Sequence, residues 1–209
     1  MSHGTATGAG AERPAVGRAM QAIHWGTAAL LFGAYSGAWM IGSTASSTEM
    51  AWLVMLHRSF GVSILVLTGV RLVLRQYCRI PPLPADVPMT LRRAARAGDV
   101  LFYLLLILQP FLGLAGSMLF GDRIVLFGNP VLPLLLPVNR TLGRQVFQVH
   151  GVVGMILMTL IGLHIIAALY HHFVLKDGVL AGMLPGVCCL PPSVDLAPGG
   201  LPDGGHRQP

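Results

Sequence analysis

The stretch VFQVHGVVGMILMTLIGLHIIAALY, residues 146–170, decides the fold. It contains no charged side chain and two histidines, His150 and His164. About 20 apolar residues in a helix cross a hydrocarbon core of roughly 30 Å, so this segment is expected to span a membrane. Ionisable side chains are costly in such a place and mark function by default. The two histidines are 14 residues apart. At about 100° and 1.5 Å per residue they return to within about 40° of one face, roughly 21 Å apart along the axis. One helix therefore offers two imidazoles on one face at two depths.

Three more segments have the same character. Residues 19–42 carry no charge and one histidine, His24. Residues 50–74 carry His57 and Arg58 near their start and Arg71 near their end. Residues 100–119 are free of charge. The apolar stretch 131–138 is too short to span and is broken by Pro133 and Pro137, so it is expected to be an interfacial loop. Composition agrees with a chain built for lipid. Only 11% of its 209 residues are charged, against about 25% in a soluble domain, and 54% are hydrophobic. A soluble enzyme, a disordered chain and a nucleic-acid-binding domain are excluded. The expected fold is all-α, an integral membrane four-helix bundle in residues 18–177. A mobile N-terminal tail (1–17) and a Gly/Pro-rich C-terminal tail (178–209) are expected to flank it. The start lacks the apolar core of a cleavable signal peptide, so the first span is expected to be retained.

Of the 14 basic residues, ten fall at the two termini and in the second connection with its flanking helix ends, and four (Arg58, Arg123, Arg140, Arg144) on the other side. The bias of Lys and Arg toward the cytoplasm then places both termini inside. The three cysteines, Cys78, Cys188 and Cys189, fall in a reducing compartment under that orientation, which disfavours a disulfide.

Depth sorts the histidines. His24, near the inner start of the first span, matches His164 in the inner half of the fourth. His57, near the outer start of the second, matches His150 near the outer start of the fourth. Facing imidazoles in an apolar bundle suit axial ligation of a planar haem iron. Zinc would want three or four ligands close together, which these pairs do not offer. Hydrogen-bonded core histidines are the plain alternative for any one of the four, and a transporter with structural histidines is the non-redox alternative for the chain. His171, seven residues after His164, faces a similar direction and competes with it as a ligand. His171 and His172 lie near the inner interface, where a quinone, a haem propionate or simple interfacial anchoring would use them. Arg58 and Arg71 are placed to pair with haem propionates at the outer and inner sites, or to snorkel to headgroups. Gly61, Gly113, Gly116, Gly151, Gly154 and Gly162 would let a flat macrocycle, or simply another helix, approach closely.

Several motifs carry a family resemblance over residues 18–185. They are Ile23-His24-Trp25, then Leu56-His57-Arg58-Ser59-Phe60-Gly61, then Arg71-Leu72-Val73-Leu74-Arg75. His150-Gly151 and Gly162-Leu163-His164 follow, with Ala167-Ala168-Leu169, His171-His172-Phe173, Lys176-Asp177-Gly178 and Met183-Leu184-Pro185 as the most specific block. The chain resembles the bacterial di-haem cytochrome b561 family, superoxide oxidases included. The resemblance implies two b-type haems held by His24/His164 and His57/His150, and exchange of electrons with ubiquinone. It further implies a multi-pass protein of the bacterial inner membrane that oxidises superoxide at the outer face. Arg58 would attract that anion, and ubiquinone would sit near His171 and His172. The alternative within the same chemistry is a haem-bearing subunit that serves a separate dehydrogenase, reductase or periplasmic electron carrier. The sequence departs from the family at Ala181-Gly182, where a basic residue is common, and in the Cys- and Pro-rich tail after Pro185.

Overall fold

In a computed structural model the chain forms four long α-helices, a small β-hairpin and a closing π turn. The residues described are 9–77, 89–132, 135–176, 180 and 183. Cys78, Cys188, Cys189 and nearly all of the tail 178–209 lie outside them.

The helices are α1 (Ala9–Ser43), α2 (Ser47–Tyr77), α3 (Met89–Phe120) and α4 (Arg140–Tyr170). Helix α1 starts inside the stretch 1–17 that the sequence leaves as a tail. α2 and α3 likewise run further than their apolar cores, through Arg75 and back to Met89, into the stretch 75–99 read as a connection. The residues that extend α2 (75–77) and α3 (89–99) beyond their apolar windows include no proline to break the hydrogen-bond ladder. Among the described residues three segments are long and apolar enough to cross a membrane: Ser47–Gln76, Arg96–Phe120 and Arg140–Leu175. Helix α1 is not among them. Gln21, His24, Thr27, Tyr35 and Ser36 dilute its apolar run, and two of them, Gln21 and Thr27, are buried against the other helices rather than turned outward.

The ends of the elements follow local chemistry. The Ser46 hydroxyl accepts from the Glu49 amide at 3.4 Å ahead of α2, and Thr44 donates to the Glu49 carboxylate at 2.8 Å. The Asn139 side chain caps α4 by accepting from the Leu142 amide at 3.0 Å. Helix α3 stops at Gly121, whose φ of 86° suits glycine. Around it the Gly121 amide bonds to Met118 O and the Asp122 amide to Ser117 O, the paired bonds of a Schellman ending. The chain then makes the hairpin β1 (Ile124–Leu126) and β2 (Asn129–Leu132), antiparallel with Leu126 opposite Asn129. Phe127 and Gly128 both take positive φ, 47° and 83°, the sign pattern of a type I′ turn. The hairpin overlaps the stretch 131–138 expected to be wholly loop; Val131 and Leu132 belong to β2.

Helix α1 packs along α2, α3 along α4, and α2 against α3. The hairpin sits on the α2 and α3 ends, with Ile124 wholly buried and the Phe127 amide bonded to the Ser59 hydroxyl at 2.9 Å. At the opposite, terminal end, Arg75 bonds Asp99 at 3.2 Å and lies over the Tyr103 ring, joining α2 to α3. The indole of Trp25 donates to the Met183 carbonyl at 2.8 Å, so the segment after α4 returns to α1. Most large side chains on the outer faces are exposed and apolar, as lipid-facing positions require. Trp39 and Trp52, at the hairpin end of α1 and α2, are among them, the place of an interfacial aromatic belt.

Candidate functional site

The four span histidines meet in two pairs. At the terminal end the rings of His24 (α1) and His164 (α4) have centroids 6.2 Å apart. At the hairpin end those of His57 (α2) and His150 (α4) are 6.1 Å apart. The two positions on α4 that share a face thus each find a partner on a different helix, at the depth the sequence assigns. His171 lies in the π turn His171–Leu175 that follows α4, and His172 stacks edge-on to Phe173 at 4.8 Å. The ring pairing at the terminal end is that of His24 with His164.

Three of the four rings have a further polar contact. His57 Nδ1 lies 2.8 Å from the Ala34 carbonyl oxygen, and His150 Nδ1 lies 3.0 Å from the Gln109 carbonyl oxygen. A carbonyl only accepts, so both Nδ1 atoms donate and both Nε2 atoms carry a lone pair. His24 differs. Its Nδ1 lies 3.2 Å from Arg71 Nη1. A guanidinium only donates, so here Nδ1 accepts. Arg71 Nε is buried with no hydrogen-bond partner among the described residues, as is the Thr68 hydroxyl one turn away on α2.

Between the hairpin-end histidines lies a cavity of about 440 Å³, lined by Tyr35, His57, Arg58, Gln109, Gly113 and His150 among others. Its walls are mostly apolar. Arg58 does not stand free in it: its guanidinium is ion-paired with Asp122 at 2.5 Å. Tyr35 bridges α1 to α4 by donating to the Gly154 carbonyl at 2.7 Å.

The glycines divide. A Cβ at Gly113 would meet the His150 ring at 3.1 Å, one at Gly116 the Phe147 ring at 3.0 Å, and one at Gly154 the Gln109 amide at 2.9 Å. These three make room for side chains of the site rather than for a bare helix face. A Cβ at Gly61 would only touch Pro110 at 3.9 Å, and at Gly151 or Gly162 nothing within 4 Å.

Sequence reading missed Gln109 and Tyr35. The single signal for either was a polar side chain inside an otherwise apolar span. Nothing in the sequence marks Asp122 as the partner of Arg58, which is 64 residues away. Among the described residues no three His, Cys, Asp or Glu side chains gather as a metal cluster.

A bundle of membrane helices with histidines facing each other in pairs is the architecture of a membrane electron-transfer protein carrying planar cofactors. The prokaryotic cytochrome b561 family model matches residues 15–186, and the chain belongs to that family. It is similar to the probable superoxide oxidase CybB of Yersinia pestis, 34% identical over 164 residues that cover 78% of this chain and 92% of that protein. It is also similar to cytochrome b561 homolog 2 of Escherichia coli (strain K12), at 32% over 78% of this chain and 87% of that protein. Cytochrome b561 homolog 1 of the same strain is 28% identical, over 78% of this chain and 93% of that protein.

The family is one of b-type haem cytochromes, and the residues present fit such a group. Metal–imidazole bonds of about 2 Å, added to the distance from each ring centre to its nitrogen, put two rings on one iron roughly 6 Å apart. Both pairs have that separation. The Nδ1–carbonyl bonds of His57 and His150 are the outer contacts that free Nε2 for a metal.

Proposed function

We propose that the chain is a di-haem b-type cytochrome of the bacterial inner membrane that moves single electrons from superoxide at its outer face to ubiquinone. All four helices, α1 included, then span the bilayer. Both termini lie in the cytoplasm and the hairpin end lies outside. The observation that carries the reading is the pair of imidazole pairs, 6.1 and 6.2 Å between ring centres, at two depths of one bundle.

Haem held at each pair would supply one-electron carriage. His57 and His150 would hold one such group with their Nδ1 protons fixed on carbonyls. His24 and His164 would hold the other. For His24 to ligate through Nε2 it must carry its proton on Nδ1, and Arg71 must then turn to another acceptor. A porphyrin carboxylate supplies one, and it would also satisfy the buried Arg71 Nε. At the outer end superoxide gives up one electron and leaves as dioxygen, so no general base is needed there. Arg58 and its neighbours set the field that the anion meets. At the inner end ubiquinone takes two electrons and two protons, and His171 and His172, half-buried and exposed, stand where protons enter. The 34% relative with the superoxide oxidase name supports the choice of donor.

One observation favours a second reading, a haem-bearing subunit that serves a separate protein. Arg58 is neutralised by Asp122, while Arg123, Arg140 and Arg144 are exposed nearby, a surface suited to an acidic carrier.

The test is an optical spectrum of the purified protein with pyridine haemochrome stoichiometry, followed by superoxide-driven reduction of a ubiquinone analogue. Two low-spin b haems per chain and quinone reduction by the isolated chain are expected. Two haems without superoxide-driven reduction would select the second reading, and folded protein that carries no haem when produced with haem in excess would end both.

A further inference from the structure

We propose that Gln109 is the positioning residue of the hairpin-end site: it holds the His150 ring with its proton on Nδ1 and fixes helix α4 in register against α3. This rests on the di-haem reading and deepens it.

Gln109 contacts the residue His150 at three places. Its main-chain carbonyl accepts from Nδ1 at 3.0 Å. Its side-chain amide donates to the His150 carbonyl oxygen at 3.0 Å. The same amide nitrogen is 3.3 Å from the His150 Nε2 lone pair. The first contact fixes the tautomer and the second fixes α3 against α4. The third covers the lone pair that a metal would take, and it is the one contact that ligation must displace.

The surroundings are shaped to this arrangement. Gly154, one turn after His150, has no Cβ, and one there would lie 2.9 Å from the Gln109 amide nitrogen. Gly113, one turn after Gln109, has no Cβ, and one there would lie 3.1 Å from the His150 ring. Pro110 follows Gln109 directly and removes the N–H that would otherwise bond the Leu106 carbonyl. Gln109 Oε1 is buried in the cavity wall without a partner among the described residues. An amide in a span otherwise without charge is expensive unless bonded. Simple helix-to-helix glue would account for the bond to the His150 carbonyl. It would not account for the same amide nitrogen also lying 3.3 Å from Nε2 of the ring.

Two variants disturb the amide by different routes. Gln109→Leu removes it and keeps the bulk. Gly154→Ala leaves Gln109 in place and pushes its flexible end aside. His150→Ala serves as the reference for loss of the hairpin-end haem. The readouts are haem stoichiometry, the rate of haem release to an excess of apomyoglobin, the low-spin spectrum and the midpoint potentials. Outer contacts of metal-bound histidines are worth about 10- to 100-fold in affinity. Both variants are expected to release one haem at least about ten-fold faster than the native protein, with a changed midpoint and partial loss of its low-spin bands. The haem at His24/His164 keeps its native behaviour and reports an intact fold. Two haems with native release rates and potentials overturn the proposal, and so does loss of both haems together, which would mark a general packing role. Native protein without haem, or His150→Ala with two haems, would overturn the di-haem reading itself.

Discussion

Arg58 and Asp122 are ion-paired at the hairpin end of the cavity, across 64 residues of sequence, with Nη2 and Oδ2 2.5 Å apart. The guanidinium that the sequence offers as an attractor of anions therefore sits in a neutral pair. Asp122 is held there by the Schellman ending of α3, through its own amide on the Ser117 carbonyl. The electrostatics of the hairpin-end mouth thus depend on how one helix stops.

Asp122→Asn restores the charge of Arg58. If superoxide enters here, the rate of superoxide-driven haem reduction should rise about two- to five-fold at low salt, and its fall with ionic strength should steepen. Stopped-flow spectra at a series of salt concentrations measure both. An unchanged rate and slope would place the entry of the anion elsewhere.

Removing either member of a histidine pair should remove one haem and leave the other. His57→Ala and His150→Ala should give the same single-haem spectrum. His24→Ala and His164→Ala should share a different one. Haemochrome stoichiometry and potentiometric titration check the assignment. Retention of the second haem by His164→Ala would show that His171 takes over as ligand.

The histidine pairing was legible because helical period and span direction together fix depth, and both are local properties. The hairpin was not. Its strands have three and four residues, and its turn depends on the positive φ of Phe127 as well as Gly128. The helix ends were also hidden, since Ala9 and Met89 start helices in sequence without apolar period. The role of Gln109 escaped for a different reason. It follows from a partner on another helix, 41 residues on, and one amide in an apolar span carries no sign of which way it bonds.

Gly143 and Gly151 should respond in opposite directions to the same substitution. At Gly143 a Cβ would lie 2.8 Å from the Phe120 ring and 3.2 Å from Leu119 Cβ. Gly143→Ala is expected to cost about 1–3 kcal/mol by overpacking. Gly151 has nothing within 4 Å, and Gly151→Ala should be neutral or stabilising by up to about 1 kcal/mol. Thermal unfolding in detergent separates them.

Ser59 is fully buried, donates to the Met55 carbonyl at 2.7 Å and accepts from the Phe127 amide at 2.9 Å. Ser59→Ala leaves the turn of the hairpin without its anchor. A loss of about 1 kcal/mol is expected, seen as roughly five-fold faster hydrogen exchange at the Phe127 amide. Exchange at α4 amides should stay as in the native protein.

The bond from Trp25 to the Met183 carbonyl reaches across 158 residues, and that from Tyr35 to Gly154 across 119. Both belong to α1, the helix whose own sequence is least suited to lipid. Of the four helices α1 leaves the ribosome before the others; its Tyr35 bond must wait for the middle of α4 and its Trp25 bond for the segment after α4. Its neighbour α2 is the one partner that reaches it early. The helix made before the other three is therefore the last to be secured, and a ribosome stalled before Gly154 would leave α1 docked on α2 with neither bond closed.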